Sequence, residues 1–132
     1  MTRPTPNHIK QITDLYRKAD WWEDDVEDSD LVTRIVEGSH CFLVALNGEE
    51  IIGMGRCISD GASDGYIQDI TVKNEYRRQG IGTKIIEKLV VRLNGDGLSW
   101  VGLIAERGSH GFYSRIGFEQ MPDSVPMLRV GK

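Results

Sequence analysis

The spacing of apolar side chains predicts a helical start, a strand-rich middle and alternating elements beyond. Ile9, Ile12, Leu15, Tyr16 and Ala19 recur at helical intervals over residues 7–19. Pro4 and Pro6 precede that helix and Asn7 is a candidate cap, so a strand ahead of it is short or absent. Leu31, Val32, Ile35 and Val36 predict a second helix over residues 29–37, with Ser29 as candidate N-cap and Gly38 as its stop. Cys41 to Leu46 is a continuous apolar run, read as a buried strand. Asn47-Gly48 signals a hairpin, and Ile51 to Ile58 returns. After a Gly/Asp/Ser-rich connection, Tyr66 to Val72 reads as a third strand, with Ile67, Asp69 and Thr71 on one face. Ile81, Ile85, Leu89 and Leu93, with Ile86 and Val90, mark an amphipathic helix over 81–93 that Gly95 and Gly97 end. A strand over Leu98 to Ala105 follows, then a short helix over Ser109 to Arg115. Two further strands are expected, one opening at Gly117-Phe118 and one over Met127 to Val130.

Two hairpin-linked strands thus lead into a strand–helix–strand crossover. The expected class is mixed α/β, with a mostly antiparallel twisted sheet and helices on both faces. The 132 residues suit one domain, 1–132, and an apolar content of 39% suffices for one core.

Charge narrows the partners. A formal net charge of -4 disfavours nucleic acid and anionic lipid, while an acidic surface suits a cationic substrate such as an amine. No run approaches the roughly 20 apolar residues of a membrane span, and no apolar leader opens the chain, so a cytoplasmic location is expected. Cys41 and Cys57 sit in apolar strands and read as core packing. His8, His40 and His110 have no ligand spacing with Cys or carboxylates, so no metal is expected.

The most informative stretch is Asp69 to Thr83. A strand ends near Val72, a polar turn follows, and Arg77-Arg78-Gln79-Gly80-Ile81-Gly82-Thr83 opens the long helix. Glycines at a helix start let an anion approach the free N–H groups of the first turn, and two arginines stand beside them. That is a cradle for a pyrophosphate. Gly82-Thr83-Lys84 has the wrong order for a Walker loop, and Ile85 stands where a dinucleotide fingerprint needs its third glycine.

Arg77-x-x-Gly80-x-Gly82 after Ile70-Thr71-Val72, and Phe112-Tyr113-Ser114-Arg115-Ile116-Gly117-Phe118 further on, resemble the two signatures of the Gcn5-related N-acetyltransferase family. The likeness covers about residues 40–120. It implies the acyl-CoA N-acyltransferase fold and acetyl-CoA as co-substrate. It further implies that the loop from Arg77 through Thr83, with Arg78, Gln79, Gly80, Ile81 and Gly82, holds the pyrophosphate. The backbone of Ile70 and Val72 would pair with the pantetheine arm. By the same resemblance Tyr113 is the acid that meets the departing thiolate; a phenol with a pKa of ~10 is protonated at neutral pH. Its other reading is an aromatic packing the short helix against Phe112 and Phe118.

Asp69, on the strand expected to line the cofactor, is the candidate base, with Glu106 as substitute. Asp69 could instead cap a turn or pair with a nearby arginine. Trp21-Trp22, ahead of the acidic run Glu23 to Asp30, could wall an amine pocket or anchor the first helix. The expected activity is acetylation of a primary amine on a small molecule such as an arylalkylamine or amino-sugar. The alternatives are a protein or peptide acceptor and a coenzyme A-binding module without turnover. A homodimer is possible on the frequency of twofold symmetry.

Overall fold

The computed structural model describes residues 1–23 and 29–131, with the side chain of Ser29 also outside the description. The chain forms two compact units, Met1–Gly102 and Leu103–Lys132. In the first, two helices lead into a sheet: α1 (Pro6–Lys18), α2 (Ser29–Gly38), β1 (Cys41–Asn47), β2 (Glu50–Ser59), β3 (Asp64–Val72), α3 (Ile81–Gly95) and all but the last residue of β4 (Trp100–Leu103). The sheet order is β1-β2-β3-β4, with β1–β2 and β2–β3 antiparallel. Among the described residues, no strand precedes α1. The second unit holds α4 (His110–Ser114). No helix among the described residues is long and apolar enough to cross a membrane.

Local chemistry explains the helix ends, with one change from expectation. Thr5, not Asn7, caps α1: its hydroxyl accepts from the His8 N–H while the His8 ring accepts from the Thr5 N–H. Pro6 is therefore the first helical residue, where its missing N–H costs nothing. His8 thus has a capping role. The Ser29 cap falls on a side chain outside the described residues. In the β1–β2 turn Gly48 takes φ +62° between paired Asn47 and Glu50, so the glycine is the first central residue.

The core lies on both faces of the sheet. Ile12, Leu15 and Tyr16 of α1 meet Val32 and Val36 of α2 over Phe42, Ile51 and Met54. On the opposite face, Gly53, Gly55 and Gly65 make room for Ile85, Leu89 and Leu93 of α3. A Cβ on Gly55 would collide with Ile70 and Ile85.

The third strand departs from simple alternation. Met54 pairs with Thr71 but Arg56 pairs with Gln68, so one extra residue is bulged into β3. Asp69 occupies that bulge with φ +59°. The bulge reverses the faces beyond it. Gly65, which shares a face with Ile67, abuts Leu93 of α3, and Ile70 reaches the same face beside Ile85. Strict alternation would put Asp69 on that face, against an aliphatic core; the extra residue turns it towards α1.

The C-terminal strands expected at Gly117-Phe118 and over Met127 to Val130 do not form. Residues 118–131 carry no strand, and Val125, Met127, Leu128 and Val130 are exposed. A four-residue apolar pattern specifies a strand only where a neighbouring edge accepts its hydrogen bonds. The fourth strand is also shorter than expected, ending at Leu103 instead of Ala105.

Candidate functional site

The loop before α3 combines left-handed backbone with a helix start that no side chain caps. After a single 3-10 turn over Asn74–Tyr76, Arg78 takes φ +64° and Gly80 φ +79°. Gly80 is the N-cap of α3, and no side chain caps the helix. The Lys84 N–H reaches the Gly80 carbonyl at 3.0 Å, the first bond of the helix. The N–H groups of Ile81, Gly82 and Thr83 are therefore left for an outside acceptor, at the positive end of the helix dipole. Arg77, Arg78, Gln79 and Gly80 are all exposed. A Cβ on Gly80 would meet nothing, so the glycine is needed for its φ and not for space. The residues present fit a pyrophosphate.

Next to this loop, β3 offers an open edge. The Lys73 N–H donates to the Ile52 carbonyl of β2 at 2.8 Å. By alternation of the ladder, the backbone groups of Val72 and Ile70 face away from β2. The Val72 carbonyl does so and accepts from Arg77 Nε at 3.1 Å, which ties the loop to the strand. β4 begins level with the start of β3: the Trp100 N–H donates to the Ser63 carbonyl at 3.3 Å, and the rings of Tyr66 and Trp100 lie 5.0 Å apart. With four residues against nine in β3, it ends before Ile70. An extended ligand can add to the edge beyond it. A cavity of about 250 Å³ adjoins the same end of β3, reaching from Leu15 and Lys18 to Thr71, Lys73 and Arg77.

Asp69 is engaged by two side chains. Its Oδ2 accepts from the Tyr16 hydroxyl at 2.7 Å and from Arg56 Nε at 2.6 Å. Arg56 Nη1 also lies 3.4 Å from the Ser39 hydroxyl. Of the two alternatives for Asp69, turn capping and arginine pairing, the arginine pairing is therefore present. Left-handed backbone costs an L-residue about 1–2 kcal/mol, least for Asp and Asn, and these bonds offset it. Burial, and then the Asp69 carboxylate beside it, push the Tyr16 phenol far above its ordinary value, so it stays a donor. Trp22 stacks on the Tyr16 ring, centroids 4.2 Å apart and planes within 6°, and Trp21 sits tilted at 6.0 Å. Both tryptophans pack against the α1–α2 core. Most of the acidic run that follows them, residues 24–28, lies outside the described residues.

Tyr16 and Arg56 are absent from the candidates read from sequence. Tyr16 looks like one more position of the apolar stripe of α1. The available signal is that a buried tyrosine needs a partner for its hydroxyl. Arg56 is the one charged residue inside the apolar run Ile51 to Ile58, which marks it in the same way.

In the second unit, Tyr113 sits on α4 between two rings, 5.0 Å from Phe112 and 5.9 Å from Phe118, both edge-on. Its carbonyl accepts from the Ile116 and Phe118 N–H groups, closing the turn at Gly117, φ +100°. Burial raises the phenol above its usual value. The packing reading and the acid reading are thus both compatible with this unit. Glu106 lies in the exposed segment between β4 and α4. His40 bonds Asp96 at 2.7 Å, tying the start of β1 to the end of α3.

Comparison with known proteins places this architecture. A family model described as "Acetyltransferase (GNAT) family" matches residues 7–118. The chain is 36% identical over 77 residues to GCN5-related N-acetyltransferase 2, chloroplastic, of Arabidopsis thaliana, covering 58% of this chain and 30% of the relative. It is 32% identical over 74 residues to Serotonin N-acetyltransferase 2, chloroplastic, of Oryza sativa subsp. japonica, covering 56% and 37%. It is 35% identical over 77 residues to a histone acetyltransferase of Glycine max, covering 58% and 33%. The chain thus spans about a third of the length of these curated relatives. Among solved structures, a GNAT family acetyltransferase of Streptococcus pneumoniae superposes with a TM-score of 0.77 at 26% identity, covering 94% of this chain and 91% of that one.

Proposed function

Because the chain belongs to the acetyltransferase (GNAT) family, we propose that it transfers an acetyl group from acetyl-CoA to the primary amine of a small molecule, in the class of arylalkylamines or amino-sugars. The observation that carries the cofactor assignment is the uncapped start of α3, with three N–H groups free at Ile81, Gly82 and Thr83 and left-handed Arg78 and Gly80 shaping the approach. The loop from Arg77 to Thr83 would hold the pyrophosphate, and the outward edge at Ile70 and Val72 the pantetheine arm.

Acetyl-CoA supplies the activated acyl group. This chain's residues hold protons for the exchange. Amine attack requires a free lone pair, so an ammonium must first lose a proton, and Asp69 is the proposed acceptor. Tyr113, kept protonated by burial, is the proposed donor to the departing sulfur. Glu106 is the substitute base. The name of the rice relative favours an arylalkylamine acceptor, and the aromatic cluster of Tyr16, Trp21 and Trp22, tied to Asp69 through the Tyr16 hydroxyl, supports it. The soybean relative's name favours a protein acceptor instead.

The deciding experiment is release of free coenzyme A, measured against a panel of arylalkylamines, amino-sugars and lysine peptides. Turnover with a small amine is expected. Turnover confined to peptides would move the assignment to a protein acceptor. Tight acetyl-CoA binding with no turnover on any amine would make the chain a binding module.

A further inference from the structure

We propose that Tyr16 is a positioning residue: its hydroxyl and the Arg56 guanidinium fix Asp69 through Oδ2, so that Oδ1 is the oxygen presented to the acceptor's ammonium. This rests on the reading of Asp69 as the base. In the step itself an N–H bond of the ammonium breaks, an O–H bond forms on Asp69, and the amine keeps the electron pair.

Three observations support it. Both side-chain bonds of Asp69 fall on the same oxygen, at 2.7 Å from Tyr16 and 2.6 Å from Arg56. The two donors come from different elements, α1 and β2, so the carboxylate is held from two directions. The donor on α1 cannot swing away: Tyr16 is 2% exposed and Trp22 lies flat against its ring. The bulge matters as well. Asp69 stands at φ +59° in β3, where one residue's change of register would point it into the aliphatic face under α3. A hydroxyl reaching across fifty-three positions of sequence thus sets which oxygen of a carboxylate is free.

The test is a double-mutant cycle on the full chain with the best amine from the panel. Tyr16→Phe keeps the ring and its stack on Trp22 and removes only the hydroxyl. Asp69→Asn keeps the shape and tolerates the left-handed backbone. Tyr16→Phe should lower kcat about 10-fold, the scale of one hydrogen bond to a charged group, with KM for acetyl-CoA unchanged. In the Asp69→Asn background the same change should have almost no further effect, because the two act as a unit. Calorimetric binding of acetyl-CoA by each variant reports that the fold is intact. Full activity of Tyr16→Phe overturns the inference. An equal loss in both backgrounds overturns it too, since Tyr16 then acts without Asp69. Wild-type rates for Asp69→Asn would instead reject the base assignment itself, and a slow Tyr16→Phe enzyme beside it would show an independent role for Tyr16.

Discussion

Arg56 and Asp69 face each other from neighbouring strands, Nε 2.6 Å from Oδ2, with side chains only 15% and 22% exposed. Two charges so shielded stabilise the fold only while both are present. Arg56→Met should therefore lower stability by about 1.5–3 kcal/mol, the scale of a hydrogen bond to a charged group. Arg56→Lys should recover part of that loss, since it restores the charge without the planar fork. Urea denaturation of the three proteins checks both, and a Met variant as stable as the parent would remove the pair from the account.

At the loop, Gly80 and Gly82 separate conformation from charge. Gly80→Val forces a branched L-residue to φ +79° and should weaken acetyl-CoA binding while leaving α3 in place. Gly80→Asn, which tolerates that backbone, should retain more affinity. Gly82→Glu puts a carboxylate in the first turn of α3, where it favours the helix but repels an anionic ligand. We expect at least a ~10-fold loss of affinity with no loss of melting temperature, the scale of 1–2 kcal/mol of helix-end electrostatics. Calorimetric titration with acetyl-CoA decides it, and unchanged binding by Gly82→Glu would sink the cradle.

Tyr113→Phe keeps both edge-on ring contacts and removes the donor. If the phenol protonates the departing sulfur, kcat should fall ~10-fold or more at constant affinity for acetyl-CoA. Burial raises this phenol, so no alkaline limb from it is expected below about pH 10, the ordinary tyrosine value. A rate unchanged by the substitution would leave Tyr113 as packing for α4.

Acid should unfold the protein partly through two carboxylates. Asp96 is held low by hydrogen bonds from His40 and then Arg92, and Glu50 by Lys73 and then Tyr76. A depressed folded pKa contributes stability above the unfolded values, roughly 3.9 and 4.3, that is lost as pH falls through the folded ones. The melting temperature should therefore drop on going from pH 5 to pH 3. Asp96→Asn should show a smaller drop over the same interval, and an identical drop would exclude Asp96 from the acid response.

Gly55 offers a structural test of how α3 is seated. Its Cβ would strike Ile70 and Ile85 together, so Gly55→Ala should destabilise by about 1–3 kcal/mol through overpacking. Because Ile85 lies in the second turn of α3, acetyl-CoA affinity should fall with it. A neutral effect in thermal melts and titration would show that the helix can lift away freely.

Local sequence determined the loop and the helices. The left-handed positions, the uncapped helix start and the apolar stripe of α3 depend on residues within a turn or two of one another, so Arg77 to Thr83 could be proposed as an anion cradle from local sequence alone. The hairpin at Asn47-Gly48 was legible for the same reason. Tertiary structure decided the rest. Tyr16, Arg56 and Asp69 meet from α1, β2 and β3, and nothing in the periodicity of α1 says that one ring of its stripe carries a working hydroxyl. The bulge at Asp69 depends on the register between β2 and β3, because only there does an extra residue show; without it the side chain would face Ile85 and Leu93. Met127 to Val130 has the composition of a strand and forms none, because a strand exists only by pairing and pairing is not a local property.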